Sequence, residues 1–176
     1  MEQAERLVLG PPRTPPHAEA TLGDVFAASY RRLVVQLYGV VGDVSEAEDL
    51  VQEAFVRAAA SGTRFRRVDN PEAWLRTAAL NLHRNRWRKL KNFGKVRADL
   101  ARPVDLPELH EHVAVVEALR TLPEAQRTVV ALRFLADLHL HDIAAELGIP
   151  EGTVKSRLNR GLAALAGSLT EEDVDD

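Results

Sequence analysis

Residues Asp137 to Leu165 read DLHLHDIAAELGIPEGTVKSRLNRGLAAL, two short amphipathic segments around a Gly-Ile-Pro turn. Leu138, Ile143, Ala144 and Leu147 form the apolar side of the first segment. Gly148 suits its C-terminal stop, because glycine accepts the left-handed backbone needed there. Pro150 suits the first turn of the next helix, where its missing N–H costs nothing. In that second helix Val154, Leu158, Leu162 and Leu165 recur at i, i+4, i+8 and i+11, one face of a helical period. Thr153, Ser156 and Arg160 then lie opposite, with Lys155, Arg157 and Asn159 on the flanks. Small hydroxyl and amide groups reach base edges in a major groove, while Lys and Arg reach bases or phosphates. A helix-turn-helix presents such a face. Any surface helix carries charge outside, so an ordinary two-helix corner is the rival reading of this stretch alone.

Outward from this corner, composition narrows the function classes. The 176 residues hold 45% hydrophobic side chains, enough for one or two packed helical units. Cysteine is absent, which excludes disulfides, a thiol nucleophile and Cys-ligated zinc. No run approaches a membrane span, and Leu7-Val8-Leu9 is too short for a signal peptide, so a cytoplasmic protein is expected. The net charge of −3 conceals a basic block: Thr63 to Arg102 holds 12 basic and 3 acidic residues. One basic block on an otherwise acidic chain suggests a local nucleic-acid surface.

Residues 1–20 carry Pro11, Pro12, Pro15 and Pro16 without periodicity and read as a flexible extension. From Leu22 to Val41 apolar residues recur at threes and fours, and Gly39 and Gly42 are expected to weaken and end that helix. A second helix carries Ala47, Leu50, Val51, Ala54, Phe55 and Ala58 on one stripe. Its start holds Asp43, Glu46, Glu48, Asp49 and Glu53 with no base among them. Acids favour a helix N-terminus, and they equally suit a docking face for a basic partner; charge alone leaves both open. Ser61-Gly62 breaks the chain, and Phe65-Arg66-Arg67 is expected in a loop. Asn70 and Pro71 then suit the cap and first position of a third helix, with Trp74, Leu75, Ala78, Ala79 and Leu82 facing the core.

Beyond Leu82 that helix changes character. Arg84, Arg86, Arg88, Lys89, Lys91, Lys95 and Arg97 follow with no acid between them and with Trp87 and Phe93 interleaved. Seven bases in fourteen residues exceed what a helix end needs, and bases with aromatics can grip a phosphate backbone and stack on exposed bases. Ala98 to Glu108 has two prolines and no period and reads as a linker. Val113, Val116, Leu119 and Leu122 open a second helical unit, and Glu171 to Asp176 form an acidic, frayed tail. His110 and His112, and His139 and His141, are two apart. Such pairs diverge on a helix, so they read as surface histidines and not metal ligands. No phosphate loop or catalytic constellation is present, and neither enzymatic activity nor a cofactor is expected.

Four stretches in this order resemble the extracytoplasmic-function group of bacterial RNA polymerase sigma factors, over about Leu22 to Leu165. They are AEDLVQEAF (Ala47–Phe55), FRRVDNPEAWLRTAALNLHRNRWRK (Phe65–Lys89), LPEAQRTVVALRF (Leu122–Phe134) and the helix-turn-helix ending in GTVKSRLNR (Gly152–Arg160). The resemblance implies an all-α fold of two helical domains on a flexible linker: 21–97 for polymerase and the −10 element, 98–109 as linker, 110–168 for the −35 element, and 169–176 as acidic tail. It implies that Asp49, Gln52, Glu53 and Phe55 bind the clamp of the polymerase largest subunit, with the flap as a contact for the second domain. It puts Phe65 and Asn81 on the unpaired strand near −10. With them go the basic run and its neighbours, Arg84, Asn85, Arg86, Trp87, Arg88 and Lys89. Lys155, Ser156, Asn159 and Arg160, with Thr153 and Arg157, fall to the −35 element. Promoter DNA and core polymerase are thus the implied partners, and an anti-sigma factor is a further candidate, since the family often has one. His139 departs from the pattern where a Ser or Thr cap is common, and Asp137 is the alternative cap.

Two rivals stand beside this reading. A stand-alone helix-turn-helix regulator would leave the acidic helix and the Arg/Lys/Trp helix without purpose. An adaptor acting through the acidic helix would leave the basic block unexplained.

Overall fold

A computed structural model describes residues 20–92 and 107–172. The expected N-terminal extension up to residue 19, the linker up to residue 106, and Phe93, Lys95 and Arg97 of the basic run lie outside the described residues. All regular structure among the described residues is helical.

The first unit is built from α1 (Leu22–Val41), α2 (Val44–Ser61), the single turn α3 (Thr63–Arg66) and α4 (Pro71–Asn92). Local chemistry sets each boundary. Thr21 and Asp24 close a capping box at the start of α1, and Gly42 ends it at φ 80°. Asp43 caps α2 by accepting from the Glu46 N–H at 2.8 Å, and Asn70 caps α4 by accepting from the Ala73 N–H at 3.0 Å. Leu33, Leu37, Leu50, Val51, Leu75 and Leu80 fill the space between them, each under 4% exposed. Each such burial stabilises by about 1.5–3 kcal/mol.

The second unit holds α5 (Pro107–His110), α6 (Val113–Arg120), α7 (Glu124–Phe134), α8 (Leu140–Leu147) and α9 (Glu151–Glu172). Gly148, at φ 64°, makes the stop between α8 and α9 that the sequence required. Val116, Val129, Leu132, Ile143 and Val154 are its buried centre.

Four local expectations are corrected. Arg64 to Arg66 form a helical turn with Phe65, not a loop, because Phe65 folds under Trp74. The start of the expected acidic tail is helical as far as Glu172, a continuation of α9. Neither His139 nor Asp137 caps α8: the N-cap His139 makes no side-chain capping bond, and Asp137 instead pairs with Arg133 at 3.3 Å. His139 and His141 do not diverge; their rings stack at 5.7 Å, because His139 is extended and stands outside the helical period. Gly39, expected only to weaken α1, lies within it under α7, and Gly42 ends the helix as expected.

That last point governs the assembly of the two units, which pack directly on one another. A β-carbon on Gly39 would stand 2.2 Å from Leu135 Cδ1 and 3.2 Å from Ala131 Cβ, so glycine here permits the close approach of α1 and α7. Arg127 Nε donates to the Val40 carbonyl at 2.8 Å. Arg76 of α4, only 3% exposed, grips Glu146 of α8 with two bonds of 2.6 and 2.8 Å. The buried side chains of both units form a continuous core.

Candidate nucleic-acid interface

On α9 the buried seam is Val154, Leu158, Gly161 and Leu165, where the sequence pattern had Leu162 in place of Gly161. Leu162 is 38% exposed. Gly161 faces α7 instead, where an added β-carbon would stand 2.8 Å from Val130 Cγ2. With Gly161 at the crossing, Leu162, one residue on, lies at the edge of the seam. The polar face keeps its expected position. Lys155, Asn159 and Arg160 are exposed, and Thr153, Ser156 and Arg157 are half-buried. Ser156 Oγ donates to the Thr153 carbonyl at 3.0 Å. Arg160 folds back along the helix, donating to the Ser156 carbonyl at 3.2 Å and to Ser156 Oγ at 3.3 Å. Arg157 turns toward the first unit and lines a cavity of about 240 Å³ with His83, Arg84, Glu124 and Leu147.

A second polar face lies on the C-terminal half of α4. Asn81, Arg84, Asn85, Trp87 and Arg88 line an open groove of about 610 Å³, edged by Glu124 of the second unit. Trp87 is 40% exposed. Arg86 is half-buried and Lys89 exposed. Arg84 donates to Asn81 and to the Leu147 carbonyl, and Arg88 donates to Asn85, so two amides hold two guanidiniums upright. Phe65 is 5% exposed and packs edge-on against Trp74 at 5.1 Å. Its ring presents no free face to a base in this state. Trp74 itself lines a second open groove, of about 920 Å³, with Asn70, Thr77, Asn81 and Glu146.

The acidic helix α2 shows Asp49 and Gln52 to solvent. Gln52 donates to the Tyr30 hydroxyl at 3.2 Å, and Glu53 pairs with Arg57 at 3.5 Å. Phe55 is 7% exposed and sits in an aromatic cluster with Phe26 and Tyr30 at 4.9 and 6.3 Å. Phe26, in contact with Phe55, is 44% exposed, and Val56, the residue after Phe55 on α2, is 63% exposed. Phe26 and Val56 were not singled out from the sequence as site residues. The i, i+4 spacing of Phe26 and Tyr30 on the face of α1 toward Phe55 was the available signal.

Sequence reasoning also passed over His83. It is 7% exposed and stands between Glu46 of α2 and Glu124 of α7, at 3.6 and 3.5 Å. Those lengths make ion pairs, not hydrogen bonds. Burial lowers the imidazolium's pKa, but the carboxylates of Glu124 and Glu46 outweigh it and raise it to about 9. The folded value thus exceeds the ordinary 6.5. The stabilisation is fully present below pH 6.5 and is lost as pH rises through about 9. Raising the pH across that window is expected to cost at most about 3 kcal/mol. Thermal unfolding of the full chain and of His83→Gln, measured across this interval, checks it. Equal pH slopes in the two proteins would contradict the pairing.

Known proteins with this arrangement are specific in kind. A family model of sigma-70 region 2 matches residues 25–93, and one of sigma-70 region 4 matches residues 112–165. The chain is 33% identical to the ECF RNA polymerase sigma factor SigW of Bacillus subtilis over 160 residues, covering 81% of this chain and 86% of that protein. It is 34% identical to the RNA polymerase sigma-E factor of Streptomyces antibioticus over 140 residues, 78% of each chain. Its fold is similar to that of the sigma factor RpoE of Bartonella quintana, solved in complex with the anti-sigma factor NepR. There the TM-score is 0.67 with 26% identity, over 88% of this chain and 98% of that one.

Proposed function

The chain belongs to the extracytoplasmic-function group of sigma-70 RNA polymerase sigma factors, and from that premise we propose how its residues divide the work. It is a sigma factor that directs promoter-specific initiation. In our reading, residues 21–97 form the polymerase and −10 domain and 110–168 the −35 domain. Asp49, Gln52 and Glu53, with the Phe26–Tyr30–Phe55 cluster beneath them, dock on the clamp of the polymerase largest subunit, and the second domain reaches the flap. Asn81, Arg84, Asn85, Arg86, Trp87, Arg88 and Lys89 hold the single strand at −10, where Phe65 swings out to meet a base. Thr153, Lys155, Ser156, Arg157, Asn159 and Arg160 meet the −35 element. Melting is driven by phosphate and polymerase contacts, with no catalytic step of the protein's own. The protein acts in the cytoplasm beside the polymerase; no helix among the described residues is long and apolar enough to cross a membrane. An anti-sigma factor is a further proposed partner, of the kind bound to the Bartonella quintana protein.

One observation carries this division. An acidic-aromatic face on α1 and α2 accompanies two separate polar-cationic faces on α4 and α9. A stand-alone regulator uses only the last of the three. Mixing with core polymerase tests it: co-elution and promoter-dependent transcripts are expected. Binding to a palindromic duplex without polymerase would favour the regulator instead. Asp49→Ala is the cleanest probe of docking, because Asp49 is exposed and Phe55 is core. It is expected to weaken polymerase affinity about tenfold. Unchanged affinity in competition binding would remove Asp49 from the interface.

A further inference from the structure

We propose that the Arg76 guanidinium is a phosphate-binding site for the promoter single strand, and that Glu146 occupies it in this closed form as a phosphate surrogate. The proposal rests on the −10 reading of α4. Arg76 stands on α4 next to the groove residue Thr77, and Glu146 lines that same groove from the other unit. The inner side of the guanidinium belongs to the first unit: Arg76 Nη1 donates to Gln36 Oε1 at 3.0 Å and lies 3.7 Å from Glu72. Its outer fork, Nε and Nη2, belongs to the second unit, gripping both oxygens of Glu146 at 2.8 and 2.6 Å. A planar fork matches carboxylate and phosphate alike. When Glu146 withdraws, Gln36 and Glu72 keep the fork aimed outward.

Withdrawal is required by size. The −35 and −10 elements lie 25 base pairs apart, about 85 Å of duplex at about 3.4 Å per step. A folded body of this length has a radius of gyration of about 16 Å. Both elements cannot be engaged while α8 sits on α4. The closed form also holds Arg84 on the Leu147 carbonyl and turns Arg157 into the cavity between the units, so both DNA faces are partly spent on each other. Opening and strand binding are therefore coupled through one guanidinium: whatever takes the Arg76 fork displaces the second unit.

The absence of cysteine permits a direct test on the full chain, with dyes on Ala59→Cys and Ala163→Cys, both exposed positions in different units. Glu146→Gln breaks a buried pair and is expected to shift the balance toward the open form by on the order of 10²-fold, read as a drop in energy transfer. The probe ligand is a fluorescent single-stranded oligonucleotide carrying the −10 sequence of a promoter transcribed by the protein with core polymerase. Glu146→Gln should bind it at least about tenfold more tightly than the native chain. Adding Arg76→Gln should leave the protein open but remove that gain, and Arg76→Lys should restore only part of it, since it keeps charge without the fork. Circular dichroism confirms that the first unit remains helical; if Arg76→Gln disturbs it, Arg76→Lys carries the comparison. Unchanged energy transfer in Glu146→Gln overturns the latch. An open Glu146→Gln chain whose affinity ignores Arg76 but falls with Arg88→Ala overturns the phosphate site and leaves the −10 reading standing. Affinity that ignores both arginines overturns the −10 reading itself.

Discussion

Gly39→Leu is expected to separate the two units while leaving the first one folded. The β-carbon alone would approach Leu135 Cδ1 to 2.2 Å and Ala131 Cβ to 3.2 Å. The leucine 135 methyl can rotate away, but Ala131 Cβ is fixed to the α7 backbone, and three further carbons have nowhere to go. Overpacking of this kind costs about 1–3 kcal/mol or more. Here the units need not accept the strain, because they can part. Within α1 the change is favourable, since glycine inside a helix costs about 1 kcal/mol. The expected results are a larger radius of gyration in small-angle scattering and unchanged helical content. Gly39→Ala, with only the rotatable contact and a few tenths of an ångström to absorb, should open the protein much less. An unchanged radius of gyration in the leucine variant would mean that α1 and α7 do not pack as described.

The second large effect separates reading from gripping. Arg160 lies opposite the Val154 seam and is exposed, tied only to its own helix through Ser156. Arg88 stands in the dense basic run of α4, held by Asn85. A good bidentate base contact discriminates by about 1–3 kcal/mol, about 5- to 150-fold, whereas a phosphate contact carries no sequence information. Arg160→Ala is therefore expected to change which −35 sequences are preferred as well as to lower activity. Arg88→Ala should lower activity on all promoters by a similar factor and flatten the salt dependence by about 0.7 in logarithmic slope, the single-strand value for one phosphate. Transcription from a randomised −35 library with each variant decides it. A preserved preference in Arg160→Ala together with a shifted one in Arg88→Ala would reverse the two assignments.

Much of the architecture was legible because it rests on local chemistry. Period, caps and breakers act over a few residues: Gly42 after Val41, Asn70 before Pro71, Gly148 before Pro150. Hence the helices, the corner between α8 and α9 and the exposed cationic faces could be placed from the chain alone. The same holds for the polar faces of α4 and α9, since a residue's face on a helix follows from its number. What failed locally failed for tertiary reasons. Gly39 read as a weak point of α1, and Gly161 was passed over for Leu162 on the α9 seam; each is a crossing point against α7, visible only once the partner helix is present. Phe65 read as a loop residue until Trp74 was found above it.

The charges divide in the same way. A run such as Arg84 to Lys89 announces itself, because its bases are neighbours in sequence. Arg76 and Glu146 are seventy residues apart, and His83, Glu46 and Glu124 come from three helices. Nothing in the local pattern distinguishes Arg76 from a solvated helix arginine, or Glu146 from the polar side of an amphipathic segment. The sequence by itself determined that this protein is two helical units with separate cationic faces. Only the tertiary structure decided that those units close on each other, because ion pairs buried between domains and glycines at helix crossings take their meaning from a partner brought near by folding.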